Sequence, residues 1–132
     1  PKLMWTTGEH EYTRFGFRPL IEERLIDILQ PDVMWVGGLT ELLKIAAHAS
    51  SLEIPIIPHG RGPYSYHFIA SQTAVPLCEY VASSADGCSI LPVFGDLFDG
   101  EDLPEKGKLK ISQKPGFGMT LRDRSVLQKL PE

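Results

Sequence analysis

The chain has 132 residues, of which 42% are hydrophobic, and this composition predicts one folded domain with a buried core and excludes a disordered chain. It carries 17 acidic and 13 basic residues, for a net charge of -4, and the scattered basic residues exclude a nucleic-acid partner. No apolar run approaches the roughly 18 residues that cross a membrane. Cys78 and Cys88 lack a C-x-x-C spacing, which favours a reducing compartment, so we expect a cytoplasmic protein.

The first two thirds of the chain alternate short apolar runs with longer amphipathic patterns. Apolar runs bounded by turn residues predict strands, and apolar residues spaced three and four apart predict helices. In chain order the pattern predicts a strand at 2–7, a helix at 17–25, a strand at 26–30, a helix with Thr40 as its N-cap and Ser51 near its end, a strand at 54–58, a helix at 64–73 and a strand at 77–81.

This alternation predicts an α/β fold with a parallel sheet, because parallel strands need a crossover of a dozen or so residues between them. Glycines, prolines and short apolar pairs replace the alternation towards the end of the chain. We therefore expect residues 1–83 to form strands and helices of a barrel and residues 84–132 to form an extension that packs on the barrel and caps it.

Each of the four predicted strands has an ionisable residue at or near its end. These residues are Glu9, Asp32, His59 and Glu79. The carboxyl ends of parallel strands form the active-site face in α/β folds and above all in (β/α)8 barrels. The placement of the four residues therefore predicts one functional site.

Each of these residues also has an ordinary structural explanation. Glu9 could be a solvated loop residue, and Asp32 could be a turn or N-cap residue. His59 lies between a buried strand and Gly60, where a functional role and a structural one are both open. Glu79 lies in an apolar run, where a carboxylate must be paired, metal-bound or protonated.

Together the four residues can remove a proton next to a carboxylate. Asp32 could accept a hydrogen bond from one imidazole nitrogen of His59 and make that histidine a general base. Glu9 could bind a hard cation, which prefers oxygen ligands. Glu79, if its surroundings keep it protonated, could donate a hydrogen bond to the negative charge that develops.

Several short motifs in fixed order resemble one enzyme family, L-rhamnonate dehydratase, in the mandelate racemase subgroup of the enolase superfamily. The likeness runs from about Leu3 to about Leu121. The motifs are Thr-Thr-Gly-Glu-His-Glu at 6–11, Gln-Pro-Asp-Val at 30–33, Trp-Val-Gly-Gly-Leu-Thr-Glu at 35–41, Pro-His-Gly at 58–60, Tyr-Ser-Tyr-His-Phe at 64–68 and Lys-Pro-Gly-Phe-Gly at 114–118.

The resemblance implies that the chain is the C-terminal part of a (β/α)8-type barrel that binds one Mg2+. By its motif, Glu9 matches the third carboxylate ligand of the magnesium, and the other two ligands would lie outside this chain. Asp32 and His59 match the catalytic dyad, and Glu79 matches the glutamate of the eighth strand. Contacts with the sugar would come from His10, Arg61, Tyr64 and His67, although packing of the helix is an alternative role for His67.

The implied reaction is the loss of water from L-rhamnonate to give 2-keto-3-deoxy-L-rhamnonate. The implied partners are this acid sugar, the N-terminal part of the same protein and, at full length, further copies in a homo-oligomer. We expect the chain alone to be inactive, because two metal ligands and the first barrel strands are absent from it.

Two alternatives remain open. One is another acid-sugar dehydratase or a racemase of the same subgroup, because the metal and dyad set proton abstraction while loops set the substrate. The other is a non-catalytic half-barrel module that binds a carboxylate. Such a module should cover both edges of its sheet, whereas part of a barrel should leave an apolar edge beside Met4 and Trp5.

Overall fold

The computed structural model describes residues 3–73, 75 and 77–127, without the side chain of Val126. The predicted first strand therefore begins outside the described residues, at Lys2, and residues 128–132 of the predicted extension also lie outside them. Two compact units divide the chain, Pro1–Val81 and Ala82–Glu132.

None of the helices in the described part of the chain has both the length and the apolar character needed to cross a membrane.

A parallel sheet organises the first unit. Strand β1 (Thr6–Thr7) pairs in parallel with strand β2 (Ile28–Leu29), with Thr6 opposite Ile28. Two further parallel bridges, Leu29 to Ile56 and Asp32 to His59, place the third predicted strand segment on the other side of β2. The predicted parallel arrangement of these segments is confirmed, and their carboxyl ends point to the same edge of the sheet.

Among the described residues, three helices accompany this sheet: α1 (Thr13–Glu22), α2 (Leu39–Ser51) and α3 (Pro63–Ser71). Helices α1 and α2 pack against each other. Their apolar faces and the sheet enclose one core, in which complete burial of a large aliphatic or aromatic side chain contributes about 1.5–3 kcal/mol. The buried members of this core are Phe17, Ile21, Leu29, Val33, Val36, Leu42, Ile45, Ala46, Ala49, Ile54, Ile56 and Phe68.

The start and end of helix α1 differ from the prediction. The helix begins earlier, at Thr13, because the Thr13 N–H donates to the Val36 carbonyl oxygen (3.1 Å) and so anchors the first turn to the loop after β2. It ends at Glu22, because Arg24 adopts a positive φ of 50° that helical backbone cannot continue. Leu25, predicted as the last apolar helical residue, is exposed.

The N-cap of α2 is Gly38, and the prediction of Thr40 at this position is wrong. Gly38 has a φ of 87°, a conformation that glycine adopts at little cost. The chain can therefore turn into the helix before it reaches Thr40, which lies within the first helical turn.

The fourth strand, predicted at 77–81, is also wrong, since these residues form neither strand nor helix in the described structure. Sequence periodicity detects an apolar run but does not supply the backbone partner that a strand requires. Side-chain contacts of Glu79 connect this segment to the sheet instead.

In its described residues, the second unit consists mainly of turns, with a short antiparallel pair of strands and an antiparallel bridge between Glu105 and Lys108. Strand β3 (Phe98–Asp99) pairs with β4 (Thr120–Leu121), and a 3-10 helix follows at Arg124–Val126. The Glu101 carboxylate accepts hydrogen bonds from two consecutive backbone N–H groups, those of Val93 (2.5 Å) and Phe94 (3.2 Å). The role of this unit as a cap on the barrel stays a prediction.

Candidate active site

The imidazole of His59 lies between two carboxylates. Its Nε2 atom is 3.3 Å from Oε1 of Glu9, and its Nδ1 atom is 3.1 Å from Oε2 of Glu79. The side chains of His59, Glu9 and Glu79 are 27%, 48% and 30% exposed, respectively. The structure thus brings together three of the four predicted strand-end side chains in a site that solvent and small molecules can reach.

Backbone pairing in the sheet positions His59. Its N–H donates to the Pro31 carbonyl oxygen (2.9 Å), within the parallel bridge between Asp32 and His59. Gly60 then turns the chain with a φ of 78°, and its N–H donates to Oε2 of Glu79. The turn after the strand therefore presents both the imidazole and a backbone donor to the same carboxylate.

Gly8 positions Glu9 at the end of β1. It has a φ of 128°, and a Cβ atom added there would lie 2.7 Å from Cε1 of Phe17. The phenyl ring of Phe17, completely buried, therefore packs directly against the backbone that carries Glu9. Only glycine fits this position without displacing one or the other.

The Asp32 side chain does not make the predicted contact with His59. Its Oδ1 atom accepts a hydrogen bond from the Met34 N–H (2.7 Å), which closes the turn after β2. Within the described part of the chain the Nδ1 partner is Glu79, and no hydrogen bond or ion pair joins the Asp32 carboxylate to the imidazole. Asp32 therefore adjoins His59 through the backbone bridge, and its catalytic role stays a prediction.

Glu79 is arranged as a hydrogen-bond acceptor. Its carboxylate accepts hydrogen bonds from the Gly60 N–H and from Nε2 of Gln30 (3.2 Å), and its Oε2 atom lies 3.1 Å from Nδ1 of His59. Both of its oxygens thus accept hydrogen bonds here, whereas the sequence predicted that Glu79 donates one. Its role as a donor to the substrate stays a prediction.

Gln30 was not among the residues predicted for the site. It ends the apolar run at 26–30, and its amide also receives the Thr6 hydroxyl at Oε1 (3.3 Å). A polar residue at a strand end, directly before Pro31 and Asp32, was the available signal. Its partner, Glu79, is far away in sequence, and no local pattern reveals that contact.

Two of the predicted sugar contacts lie beside these residues. Nε2 of His10 is 3.5 Å from Oε1 of Glu9, and its ring meets the indole of Trp35 edge-on, with centroids 5.0 Å apart. Arg61 follows Gly60, and its guanidinium donates to the Tyr80 hydroxyl (3.1 Å). Both cationic or potentially cationic side chains thus border the strand-end face.

The other two predicted contacts belong to the first turns of α3. Tyr64 packs on the core, and its ring limits the space at Gly62, where an added Cβ would be 2.8 Å from Cζ. His67 is partly buried, with its Nε2 atom shielded from solvent. Tyr66 is completely buried, and burial raises the pKa of its hydroxyl group. These placements fit packing roles for the helix.

The residues present supply only part of a magnesium site. The Glu9 carboxylate is a hard oxygen donor and is half exposed, so it fits magnesium as one ligand. Among the described residues, no group of three or more His, Cys, Asp or Glu side chains is arranged to hold a metal ion. Any magnesium bound at Glu9 therefore needs further ligands from elsewhere.

The parallel segments, their connecting helices and the ionisable residues at their carboxyl ends define part of an enolase-type barrel. The family model described as Enolase C-terminal domain-like matches residues 5–125, and the chain belongs to this family. Its fold is that of the C-terminal part of an enolase-superfamily (β/α)8-type barrel.

Among its relatives, the chain is similar to L-rhamnonate dehydratases. That of Saccharopolyspora erythraea is 41% identical over 127 residues, which are 96% of this chain and 33% of that protein. The crystal structure of L-rhamnonate dehydratase from Gibberella zeae is 56% identical with a TM-score of 0.86, and the match covers 93% of this chain and 32% of that one. A Gibberella zeae rhamnonate dehydratase structure complexed with Mg matches with the same identity and TM-score, over 95% of this chain and 31% of that one.

The chain spans 30% to 33% of the length of the curated relatives it matches. Relatives of this kind therefore contain about twice as much sequence outside the matched part as within it.

Proposed function

We propose that this chain forms the proton-abstracting part of an enzyme that dehydrates L-rhamnonate to 2-keto-3-deoxy-L-rhamnonate. The main support for this proposal is the position of the His59 imidazole. It lies at the carboxyl ends of parallel strands, and its two nitrogens face Glu79 and Glu9. We infer the substrate from the names of the relatives, and we infer that His59 is the base from its position.

His59 would perform both proton transfers. With Nδ1 directed at Glu79, Nε2 is the nitrogen that faces the side of the site where Glu9 lies. Nε2 would take the proton from carbon 2 of the substrate, and the electron pair of that C–H bond would move towards the substrate carboxylate. The imidazolium would then return the proton to the departing carbon-3 hydroxyl, so that water leaves and the remaining enol becomes the 2-keto acid.

Glu9 would hold the magnesium ion, together with two carboxylate ligands outside this chain. When bound, magnesium would supply a fixed positive charge beside the substrate carboxylate, which makes the carbon-2 proton more acidic. His10 and Arg61 would contact the sugar hydroxyls from the same face. Tyr64 and His67, in α3, would contribute less directly to binding of the sugar.

The partner of the chain would be the remaining part of the same barrel. Exposed apolar side chains directly before β1 support this proposal: Leu3, Met4 and Trp5 are all largely exposed, with Trp5 at 70%. An edge of this kind is expected beside a missing strand and is unfavourable on a module that covers its own sheet. We further propose that residues 84–132 cap the barrel and that the complete protein forms a homo-oligomer.

A chimeric enzyme tests this function. In it, the present chain replaces the matching third of the Gibberella zeae L-rhamnonate dehydratase, with which it shares 56% identity. The chimera is incubated with Mg2+ and a panel of aldonates, and 2-keto-3-deoxy products are measured. We expect turnover of L-rhamnonate and none by the remainder of the Gibberella protein alone.

The same panel separates the alternatives. Turnover of a different aldonate would assign another acid-sugar dehydratase, and inversion at carbon 2 without loss of water would assign a racemase. A folded chimera that binds aldonates and does no chemistry on any of them would contradict the proposal and favour a binding module.

A further inference from the structure

Two consecutive residues of the turn after the third strand segment contact two consecutive residues of the segment at 77–81. The Gly60 N–H donates to the Glu79 carboxylate, and the Arg61 guanidinium donates to the Tyr80 hydroxyl (3.1 Å). Glu79 and Arg61 are among the predicted site residues, whereas Tyr80 has no role in the proposed mechanism.

The contact between Arg61 and Tyr80 has two components. Besides the hydrogen bond, Cζ of Arg61 lies 5.3 Å from the centroid of the Tyr80 ring, which is within the range of a cation–π interaction. Both side chains are partly buried. A hydrogen bond from a charged donor is stronger than one between neutral groups, and partial exclusion of water strengthens it further. This pair therefore attaches the segment at 77–81 to the neighbouring turn.

The position of Glu79 depends on contacts of this kind. Residues 77–81 form neither strand nor helix, so regular backbone pairing does not fix them. On one side of Glu79, the Cys78 thiol donates to the Glu79 carbonyl oxygen (3.2 Å), a contact within the segment itself. On the other side, Tyr80 connects the segment to the neighbouring turn. Tyr80 therefore limits how far the Glu79 carboxylate can move away from the Gly60 N–H.

We propose that Tyr80 is a positioning residue, whose hydroxyl is held by Arg61 and which keeps the Glu79 carboxylate at the Gly60 N–H. The consequence for catalysis rests on the proposed function. The role is separate from the sugar contact proposed for Arg61, because Tyr80→Phe removes the hydroxyl and leaves the guanidinium in place.

The test is the amide hydrogen exchange of Gly60 in the complete 132-residue chain, measured by NMR without substrate or metal. The Gly60 N–H reports on the Glu79 carboxylate, because it donates to that group. The variant is Tyr80→Phe, which keeps the aromatic ring. Tyr12→Phe is the matched control, at an exposed tyrosine whose ring packs on Trp35.

Two amides of the parallel sheet serve as internal references. They are those of Gln30 and Ile57, which donate to carbonyl oxygens of the neighbouring strand segments. We expect Tyr80→Phe to speed the exchange of Gly60 by about 2- to 10-fold, the range for loss of one hydrogen bond, and to leave both reference amides at the parent rate. Tyr12→Phe should change none of the three rates.

An unchanged exchange rate of Gly60 in Tyr80→Phe would overturn the proposal. Equal acceleration of Gly60 and both reference amides would also overturn it, because the hydroxyl would then stabilise the whole unit and not the position of Glu79. If Tyr80→Phe does not fold, Arg61→Met removes the same hydrogen bond from the other side and must give the same local acceleration.

The chimera measures the consequence for catalysis. Because Glu79 is predicted to contact the charge that develops on the substrate, Tyr80→Phe should lower kcat for L-rhamnonate by about 2- to 10-fold and leave KM nearly unchanged. A change in KM with kcat unchanged would contradict the positioning role. Failure of the chimera to dehydrate L-rhamnonate would refute the proposed function and leave the exchange result intact.

Discussion

His59 and Glu9 lie in direct contact, with Nε2 of the imidazole 3.3 Å from Oε1 of the carboxylate. The candidate base and the candidate magnesium ligand therefore share one face of the site. A cation bound to Glu9 and the imidazole of His59 would both approach the Glu9 carboxylate. A substitution at Glu9 should therefore affect catalysis by His59, and a substitution at His59 should affect cation binding by Glu9.

The Glu79 and Asp32 carboxylates should contribute differently to the reaction. In the chimera, Glu79→Gln is expected to slow dehydration by about 10²-fold or more, because it removes the carboxylate that faces Nδ1. Asp32→Asn should cost less, since the Asp32 carboxylate accepts from the Met34 N–H and is not bonded to the imidazole. Steady-state rates with L-rhamnonate measure both effects.

The reverse order would contradict this assignment. If Asp32→Asn were the more damaging substitution, the Asp32 carboxylate would have to reach Nδ1 once the rest of the barrel is present. Circular dichroism of both variants controls for misfolding.

Gly8→Ala should destabilise the first unit and displace Glu9. The substitution combines an unfavourable φ of 128° with a contact of 2.7 Å to the Phe17 ring, and we expect a loss of roughly 1–3 kcal/mol in the free energy of unfolding. Urea denaturation of the chain measures it. Gly38→Ala is the control, because Gly38 also has a positive φ but nothing within 4 Å of an added Cβ. Equal losses in the two variants would mean that Phe17 does not restrict Gly8.

Glu41 should make the stability of the first unit depend on pH. Its carboxylate accepts from the backbone N–H of Arg14 (2.9 Å) and pairs with the Arg14 guanidinium (2.7 Å), and these contacts lower the pKa of Glu41 below its ordinary value of 4.5. A lowered pKa in the folded state means that the stabilisation is present above pH 4.5 and is lost as the pH falls through the folded value.

Urea midpoints measured from neutral pH to below pH 4.5 test this dependence. We expect Glu41→Gln to be less stable at neutral pH and to lose less on acidification than the parent chain. Glu105→Gln is the control and should leave the pH dependence unchanged. The Glu105 carboxylate is exposed and makes a long contact of 3.9 Å with the exposed Lys106 side chain. Identical acid profiles for the parent and Glu41→Gln would show that the Arg14 contacts do not stabilise the fold.

The chain alone should bind Mg2+ weakly. Glu9 supplies one carboxylate, and a magnesium site without phosphate usually needs more than one. Calorimetry of the chain should show no micromolar binding, whereas the chimera should bind Mg2+ more tightly. Micromolar affinity of the isolated chain that survives Glu9→Gln would place the metal elsewhere.

The sequence allowed prediction of Glu9 and His59 as site residues because both follow strands, and the carboxyl ends of parallel strands meet at one edge. It did not allow prediction of the partner of His59. Asp32 is adjacent through the backbone bridge, but the carboxylate that reaches Nδ1 is that of Glu79, from a segment that is not a strand. Such contacts depend on loop conformation and side-chain reach, which local periodicity does not encode.

The helix ends were unpredictable for a related reason. Amphipathic spacing identified the buried residues Phe17 and Ile21, but the start of α1 depends on a hydrogen bond from Thr13 to Val36. This contact is tertiary, and it exists only after the loop beyond β2 has folded against the helix.

Hydrogen exchange at carbon 2 of the substrate measures whether His59 removes the proton bound there. The chimera with and without His59→Asn is incubated with Mg2+ and L-rhamnonate in D2O, and NMR follows both the carbon-2 proton of unreacted substrate and the 2-keto product. Asparagine keeps a polar side chain but cannot accept the proton, so we expect exchange and product formation to fall by at least ~10²- to 10⁴-fold while substrate binding persists. Exchange at the parent rate in the His59→Asn chimera would show that another residue is the base.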